Sequence, residues 1–170
     1  MLRHKPEQYS LALDEYGWSS VDGILRALHK SSVWEDVAEE DIEETVRTDN
    51  KGRFELKDGY IRALYGHSFP VRILKPVATP PEVLYHGTSH QAAKLILEGG
   101  LLPMGRQYVH MSPDIATAFQ VGRRKEHVPV ILKIDAACAS KNGVVFYEGN
   151  DITWLADKVP PQYISEYTKD

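Results

Sequence analysis

The chain has 170 residues, 42% hydrophobic and 26% charged, with a net charge of −4, which suits one compact domain or two small lobes of ordinary soluble composition. No run of ~18 apolar residues offers a membrane span, and Arg3, His4 and Lys5 stand where a secretory signal would need an apolar core. The single cysteine, Cys138, excludes an internal disulfide, argues against structural zinc and suits a reducing cytoplasm.

In chain order, Ser19 or Ser20 is placed to cap a helix running through Lys30, with Ile24, Leu25 and Leu28 on one face. A second amphipathic helix is predicted from about Glu39 to Thr48, where Ile42 and Val46 lie one turn apart. Arg53–Leu56 and Tyr60–Leu64 read as strands joined through Lys57-Asp58-Gly59, and Asp-Gly between alternating runs signals a hairpin. Helices followed by a hairpin suggest a winged-helix lobe over residues 1–75. Three prolines fall within Lys75–Pro81 and remove backbone donors, so 76–81 is expected to be an extended linker.

The second lobe, 82–170, opens with a strand at Val83–Tyr85 that runs into His86-Gly87-Thr88. A helix from about Gln91 to Glu98 follows, closed by Gly99-Gly100. Tyr108–Met111 is a strand, after which Ser112 is expected to cap a helix with Pro113 at its first position. Val128–Ile134, Val144–Tyr147 and Ile152–Leu155 complete a mixed, β-rich α+β lobe. Neither GxGxxG nor GxxxxGK[ST] occurs, so a Rossmann or P-loop nucleotide site is not supported.

Charge is unevenly placed. Glu35–Glu44 carries seven acids and no Lys or Arg, so the chain's −4 becomes +3 without it. That run reads as a solvated helix face. The bases fall into short clusters: Arg3-His4-Lys5, Lys51 to Arg53, Arg62 with His67, and Arg123-Arg124-Lys125. Such clusters suit a compact anionic pocket better than a broad nucleic-acid footprint.

Taken singly, each candidate has an ordinary structural explanation. Arg3-His4 fits a chain end, Arg62 a solvent-facing strand position, and Gly66-His67-Ser68 a turn. Arg123-Arg124 fits cations answering a helix dipole, and His86 a buried structural histidine. The alternative is that Gly87 and Thr88 let a ligand approach the backbone beside His86, while His110 and Ser112 offer a second imidazole and hydroxyl. No carboxylate or thiol sits at ligand spacing from these histidines, so no metal is expected.

In order and spacing, these pieces resemble the RNA (tRNA) 2′-phosphotransferase family. The resemblance runs through Leu2-Arg3-His4-Lys5-Pro6-Glu7, Gly17-Trp18, Lys51-Gly52-Arg53-Phe54-Glu55-Leu56 and Ile61-Arg62-Ala63-Leu64-Tyr65-Gly66-His67-Ser68. It continues through Leu84-Tyr85-His86-Gly87-Thr88, Gly100-Leu101-Leu102-Pro103, Arg106-Gln107-Tyr108-Val109-His110-Met111-Ser112 and Val121-Gly122-Arg123-Arg124. It ends in Asn142-Gly143-Val144-Val145 and Val159-Pro160-Pro161-Gln162-Tyr163-Ile164. The chain departs from the family's usual pattern at Tyr65, where Gln is common. It also departs at Arg124-Lys125-Glu126-His127, one residue longer than the usual Arg-His-Gly.

The resemblance implies a winged-helix lobe for RNA and a C-terminal lobe with the ADP-ribosyltransferase fold for NAD⁺. It implies a catalytic set of Arg3, His4, Arg62 and Arg124, with Arg123 as the neighbouring alternative to Arg124. It places the RNA phosphate on Arg3, His4, Lys5, Arg62, His67 and Ser68, and the cofactor on His86, Gly87, Thr88, His110 and Ser112. The expected partners are RNA carrying a 2′-phosphate (tRNA-like, as in tRNA splicing) and NAD⁺, consumed as co-substrate without a metal. The protein is expected to be a cytoplasmic monomer with no membrane association. The implied reaction passes through an ADP-ribosylated 2′-phospho-RNA and yields 2′-hydroxyl RNA, ADP-ribose 1″,2″-cyclic phosphate and nicotinamide. Two rival readings are an ADP-ribosyltransferase that caps terminal phosphates of nucleic acid and a catalytically silent RNA-binding module.

Overall fold

In the computed structural model, which describes residues 1–168, the chain is mixed α+β, with five α-helices and nine strands in small antiparallel sheets. Contacts divide it into two compact units, the first ending at Lys75 and the second beginning at Pro76.

In the first unit, Pro6–Tyr9 forms a 3-10 turn, β1 spans Trp18–Ser20 and α1 spans Val21–Leu28. Ser20 caps α1, its Oγ accepting the Gly23 N–H at 3.0 Å. The helix stops two residues short of the expected Lys30, with His29 as its C-cap. α2 (Glu39–Arg47) follows, then the hairpin of β2 (Phe54–Lys57) and β3 (Tyr60–Ala63). Asp58 and Gly59 both take positive φ, 50° and 75°, as a type I′ turn requires. The sheet order is β1-β3-β2, and β1 is an addition that the sequence did not suggest, because three residues are too few for a periodic signal. Alternation along β3 sends Ile61 and Ala63 into a core with Leu2, Val21, Ile24 and Ile42, leaving Tyr60 and Arg62 on the other face.

The second unit has two three-stranded sheets, β4-β6-β9 and β5-β8-β7. Their strands are β4 (Val83–Thr88), β5 (Val109–Met111), β6 (Val130–Asp135), β7 (Phe146–Asn150), β8 (Thr153–Ala156) and β9 (Ile164–Glu166). The helices are α3 (His90–Gly99), α4 (Ile115–Gly122) and α5 (Ala136–Lys141). Tyr85 and Ser112 exchange backbone hydrogen bonds at 2.8 Å each way, which ties the two sheets together. Leu84, Leu132, Ile134, Phe146 and Val159 centre the core.

Two expectations need correction here. Ser112 does not cap the following helix. Asp114 does, accepting the Thr117 N–H at 2.8 Å, because Ser112 is held in the bridge to β4. The strand at Val83 continues through Thr88, since His86, Gly87 and Thr88 pair with Leu132, Ile131 and Val130. Within the proline segment, Val77 bridges Tyr147 and the Ala78 N–H donates to the Phe146 carbonyl at 2.9 Å.

Candidate active site

The first unit brings together residues from its two ends. The Ser68 N–H donates to the Arg3 carbonyl at 2.9 Å, and Arg3 Nε–H donates to the Tyr65 carbonyl at 3.1 Å. The guanidinium then lies against the backbone of Gly66, so that a Cβ there would overlap Arg3 Nη2. Gly66 also has φ +87°, a conformation L side chains rarely adopt. His4 Nδ1 shares a hydrogen bond with Ser68 Oγ at 2.9 Å, which fixes the ring plane. The start of the chain is therefore a positioned element.

Arg62, central in the sheet, donates from Nε and Nη2 to Glu55 Oε2 at 2.7 and 2.6 Å. It also lies over the Trp18 ring, 4.5 Å from the centroid. Side chain and stacking partner together hold the fork in one plane.

His67 is 2% exposed and meets Phe69 edge-on, and among the described residues its Nε2 has no hydrogen-bond partner. Burial pushes its imidazole down to about 3, helped by the positive charges of Lys75, Arg3 and His4. His67 is thus neutral and adds no charge to an anion site. Ser68 and Lys5 are exposed.

Lys75 joins this group, although as a lone lysine before a proline run it reads in sequence as the start of a linker. It is half-buried, and burial together with the Arg62 charge lowers its ammonium to about 8, against the opposing pull of Glu55. Arg3, His4, Arg62 and Lys75 outnumber Glu55 within one unit, an arrangement that favours an anion.

In the second unit, His86 Nδ1–H donates to the His110 carbonyl at 2.8 Å, and His110 Nδ1–H donates to the Tyr108 carbonyl at 2.9 Å. Burial lowers the His86 pKa, with the Lys125 charge acting the same way and the His110 carbonyl opposing. The imidazole is neutral, with its proton on Nδ1 and a lone pair on Nε2. Thr88 and Ser112 are buried at 1% and 7% exposure.

Gly87 packs closely against α4. A Cβ there would overlap the Ala118 carbonyl, and a Cβ on Gly122 would come within about 3 Å of Gly87 carbons. The glycine pair lets α4 lie directly on β4, with helix backbone in the space that a Cβ at Gly87 would take. That contact carries the end of α4 to β4, where Arg123 and Arg124 follow. Arg123 and Arg124 are both exposed, and Arg123 lies 6.0 Å from the Phe119 ring centroid. Glu126 holds the same loop: its carboxylate accepts the His90 N–H at 2.8 Å and meets His90 Nδ1 at 2.9 Å.

Among the described residues no three His, Cys, Asp or Glu side chains gather as a metal-binding group, and no helix is long and apolar enough to cross a membrane.

A family model described as RNA 2′-phosphotransferase, Tpt1 / KptA family, matches residues 1–158. The chain is similar to a protein of Acetivibrio thermocellus named "Probable RNA 2′-phosphotransferase", 49% identical over 163 residues, 96% of this chain and 90% of that one. A protein of the same name from Bacillus thuringiensis subsp. konkukian is 50% identical over 164 residues, 96% of this chain and 89% of its own. Another, from the archaeon Pyrococcus furiosus, is 40% identical over 166 residues, 98% of this chain and 90% of its own.

Proposed function

This chain belongs to the RNA 2′-phosphotransferase family, and from that premise we propose that it uses NAD⁺ to remove an internal 2′-monophosphate from RNA. The first unit is read as a winged-helix RNA lobe and the second as an ADP-ribosyltransferase-like NAD⁺ lobe. The observation that carries the reading is the cluster of Arg3, His4, Arg62 and Lys75, with Arg3 and His4 tied to Tyr65 and Ser68.

A phosphate dianion is already a nucleophile, so the first step needs positioning more than a general base. Arg3 and Arg62 supply planar forks, His4 a further donor, and Ser68 and Lys5 flank them. An oxygen of the RNA 2′-phosphate bonds to the nicotinamide ribose C1″ as the C–N bond to nicotinamide breaks, its electron pair leaving with the ring. In the second step the ribose 2″-oxygen bonds to phosphorus, and the RNA 2′-oxygen departs with a proton. His4 is assigned the proton transfers, since an imidazole ordinarily titrates near ~6.5. Arg124 is assigned to the charge that grows on the phosphoryl oxygens.

The second unit's residues fit NAD⁺ chemically. A neutral His86 with its Nδ1 proton committed to the His110 carbonyl presents Nε2 as an acceptor for a ribose hydroxyl. Thr88, His110 and Ser112 are the remaining cofactor contacts in this proposal. Gly87 keeps its place among the proposed cofactor contacts, and its missing Cβ also admits α4.

The test is a gel assay on a short RNA with one internal 2′-phosphate, with and without NAD⁺. NAD⁺-dependent loss of the phosphate, with nicotinamide released, is the expected result. Accumulation of ADP-ribosylated RNA, or no change at all, would overturn the proposal. The His86→Ala variant should raise the NAD⁺ concentration needed for half-maximal rate, and an unchanged value would make His86 purely structural.

A further inference from the structure

The register of the first unit's sheet sets two cross-strand rows side by side. Trp18, Arg62 and Glu55 form one, and Ser20, Tyr60 and Lys57 the next. Residues two apart on a strand share a face, so Tyr60 stands beside Arg62, about 7 Å along the strand. Ile61 fills the opposite, buried face. Next to these rows an open hollow is lined by Asp14, Trp18, Lys57, Asp58 and Tyr60.

Two properties of this hollow decide what it can hold. Tyr60 is 52% exposed, an aromatic ring that contributes little to the core beneath it. Two carboxylates face one ammonium, so a second phosphate would be repelled. A neutral, flat group with a hydrogen-bond donor is not. Tyr60 offers an exposed ring. Trp18, over which Arg62 lies, lines the wall, and Asp58 in the hairpin turn adds a carboxylate. Asp14 is partly committed, its Oδ1 accepting the N–H groups of Tyr16 and Trp18 at 2.9 and 2.8 Å.

We infer that this hollow is a nucleobase subsite for the residue next to the one whose 2′-phosphate Arg62 holds. The base stacks on Tyr60, beside Trp18, with its exocyclic amine toward Asp58. The inference rests on the phosphate reading of Arg62, and it adds that recognition extends from the phosphate to a neighbouring base.

The test is fluorescence anisotropy of the full chain, without NAD⁺, on trinucleotides carrying a 2′-phosphate at the central residue. Adenosine, uridine and an abasic residue are compared at each flank in turn. At one flank the abasic residue should weaken binding about tenfold, as loss of one stacked base does, and uridine should fall between. Tyr60→Ala should erase the difference at an unchanged melting temperature, while Tyr60→Phe keeps it. Equal affinity for all flanks, or a difference that survives in Tyr60→Ala, would overturn the subsite. If the base difference persists but 2′-phosphorylated and 2′-hydroxyl RNA bind alike, the phosphate reading fails and the subsite stands.

Discussion

A single oxygen of Glu55, Oε2, accepts two N–H groups of Arg62, at 2.7 Å from Nε and 2.6 Å from Nη2. The guanidinium has five N–H groups, so three remain for an anion while its plane is held between the carboxylate and the Trp18 ring. The same carboxylate competes with that anion for the positive charge.

Replacing Glu55 therefore separates orientation from charge. Glu55→Ala removes the anchor and should lower kcat/KM for 2′-phosphorylated RNA by about tenfold or more. Glu55→Gln keeps an acceptor but removes the charge, so kcat should be retained and KM should fall. Steady-state kinetics on both variants decides the matter. If both behave like the parent, Arg62 needs no anchor.

Gly66→Ala should be among the most damaging small substitutions. The added methyl enters the space of Arg3 Nη2 and must adopt φ +87°. The backbone strain alone costs about 1 kcal/mol or more. The melting temperature should drop by several degrees, and activity should fall far more than stability because Arg3 is displaced. A variant with parental activity would show that Arg3 is not held where it works.

Glu126 clips the loop carrying Arg124 to the N-terminus of α3. Its hydrogen bonds to His90 hold its carboxyl below the ordinary carboxylate range. With a lowered pKa in the folded protein, the clip is present above the ordinary carboxylate pKa and lost as pH falls through the lowered one. Glu126→Ala should slow breakdown of the ADP-ribosylated intermediate about tenfold in single-turnover assays, leaving nicotinamide release nearly unchanged. Equal slowing of both steps would contradict the assignment of this loop to the second step.

Asp49 and Arg53 close the turn between α2 and β2. The carboxylate accepts the Arg53 N–H at 2.6 Å and Nη2–H at 2.7 Å. Chiefly through the Arg53 side chain, its pKa is lowered to about 2. Stability from this pair is complete above the unfolded value near ~4 and is lost as pH falls toward 2. Asp49→Asn should cost about 1–2 kcal/mol at pH 7, discounted for the partly exposed arginine. Urea unfolding should show the gap between parent and variant closing below pH 4, and a constant gap would refute it.

Much of the local structure was legible because neighbouring residues encode it. Asp58-Gly59 adopts the positive φ values of the hairpin turn, and Ser20 accepts from Gly23 as a cap should. The ends of helices and strands moved by one to three residues, because the terminal residues of an element carry the weakest local signal. β1, α5 and β9 escaped notice because each is too short for a periodic pattern.

Adjacent residues carry most of the elements, the alternation that buries Ile61 and exposes Tyr60 and Arg62, and the motifs of the family to which the chain belongs. What those residues meet depends on how distant segments fold together. Arg3 lies on Gly66 because chain segments more than sixty residues apart are folded together, and a glycine's missing Cβ does not announce what will fill its place. Nothing in the sequence around Gly87 shows that the carbonyl of Ala118 packs against it. Lys75 joined the cation cluster for the same reason: its neighbours in space, Arg62 and Glu55, are not its neighbours in sequence. Short-range conformational preference is written in adjacent residues, whereas burial, charge coupling and close packing are properties of the folded surface.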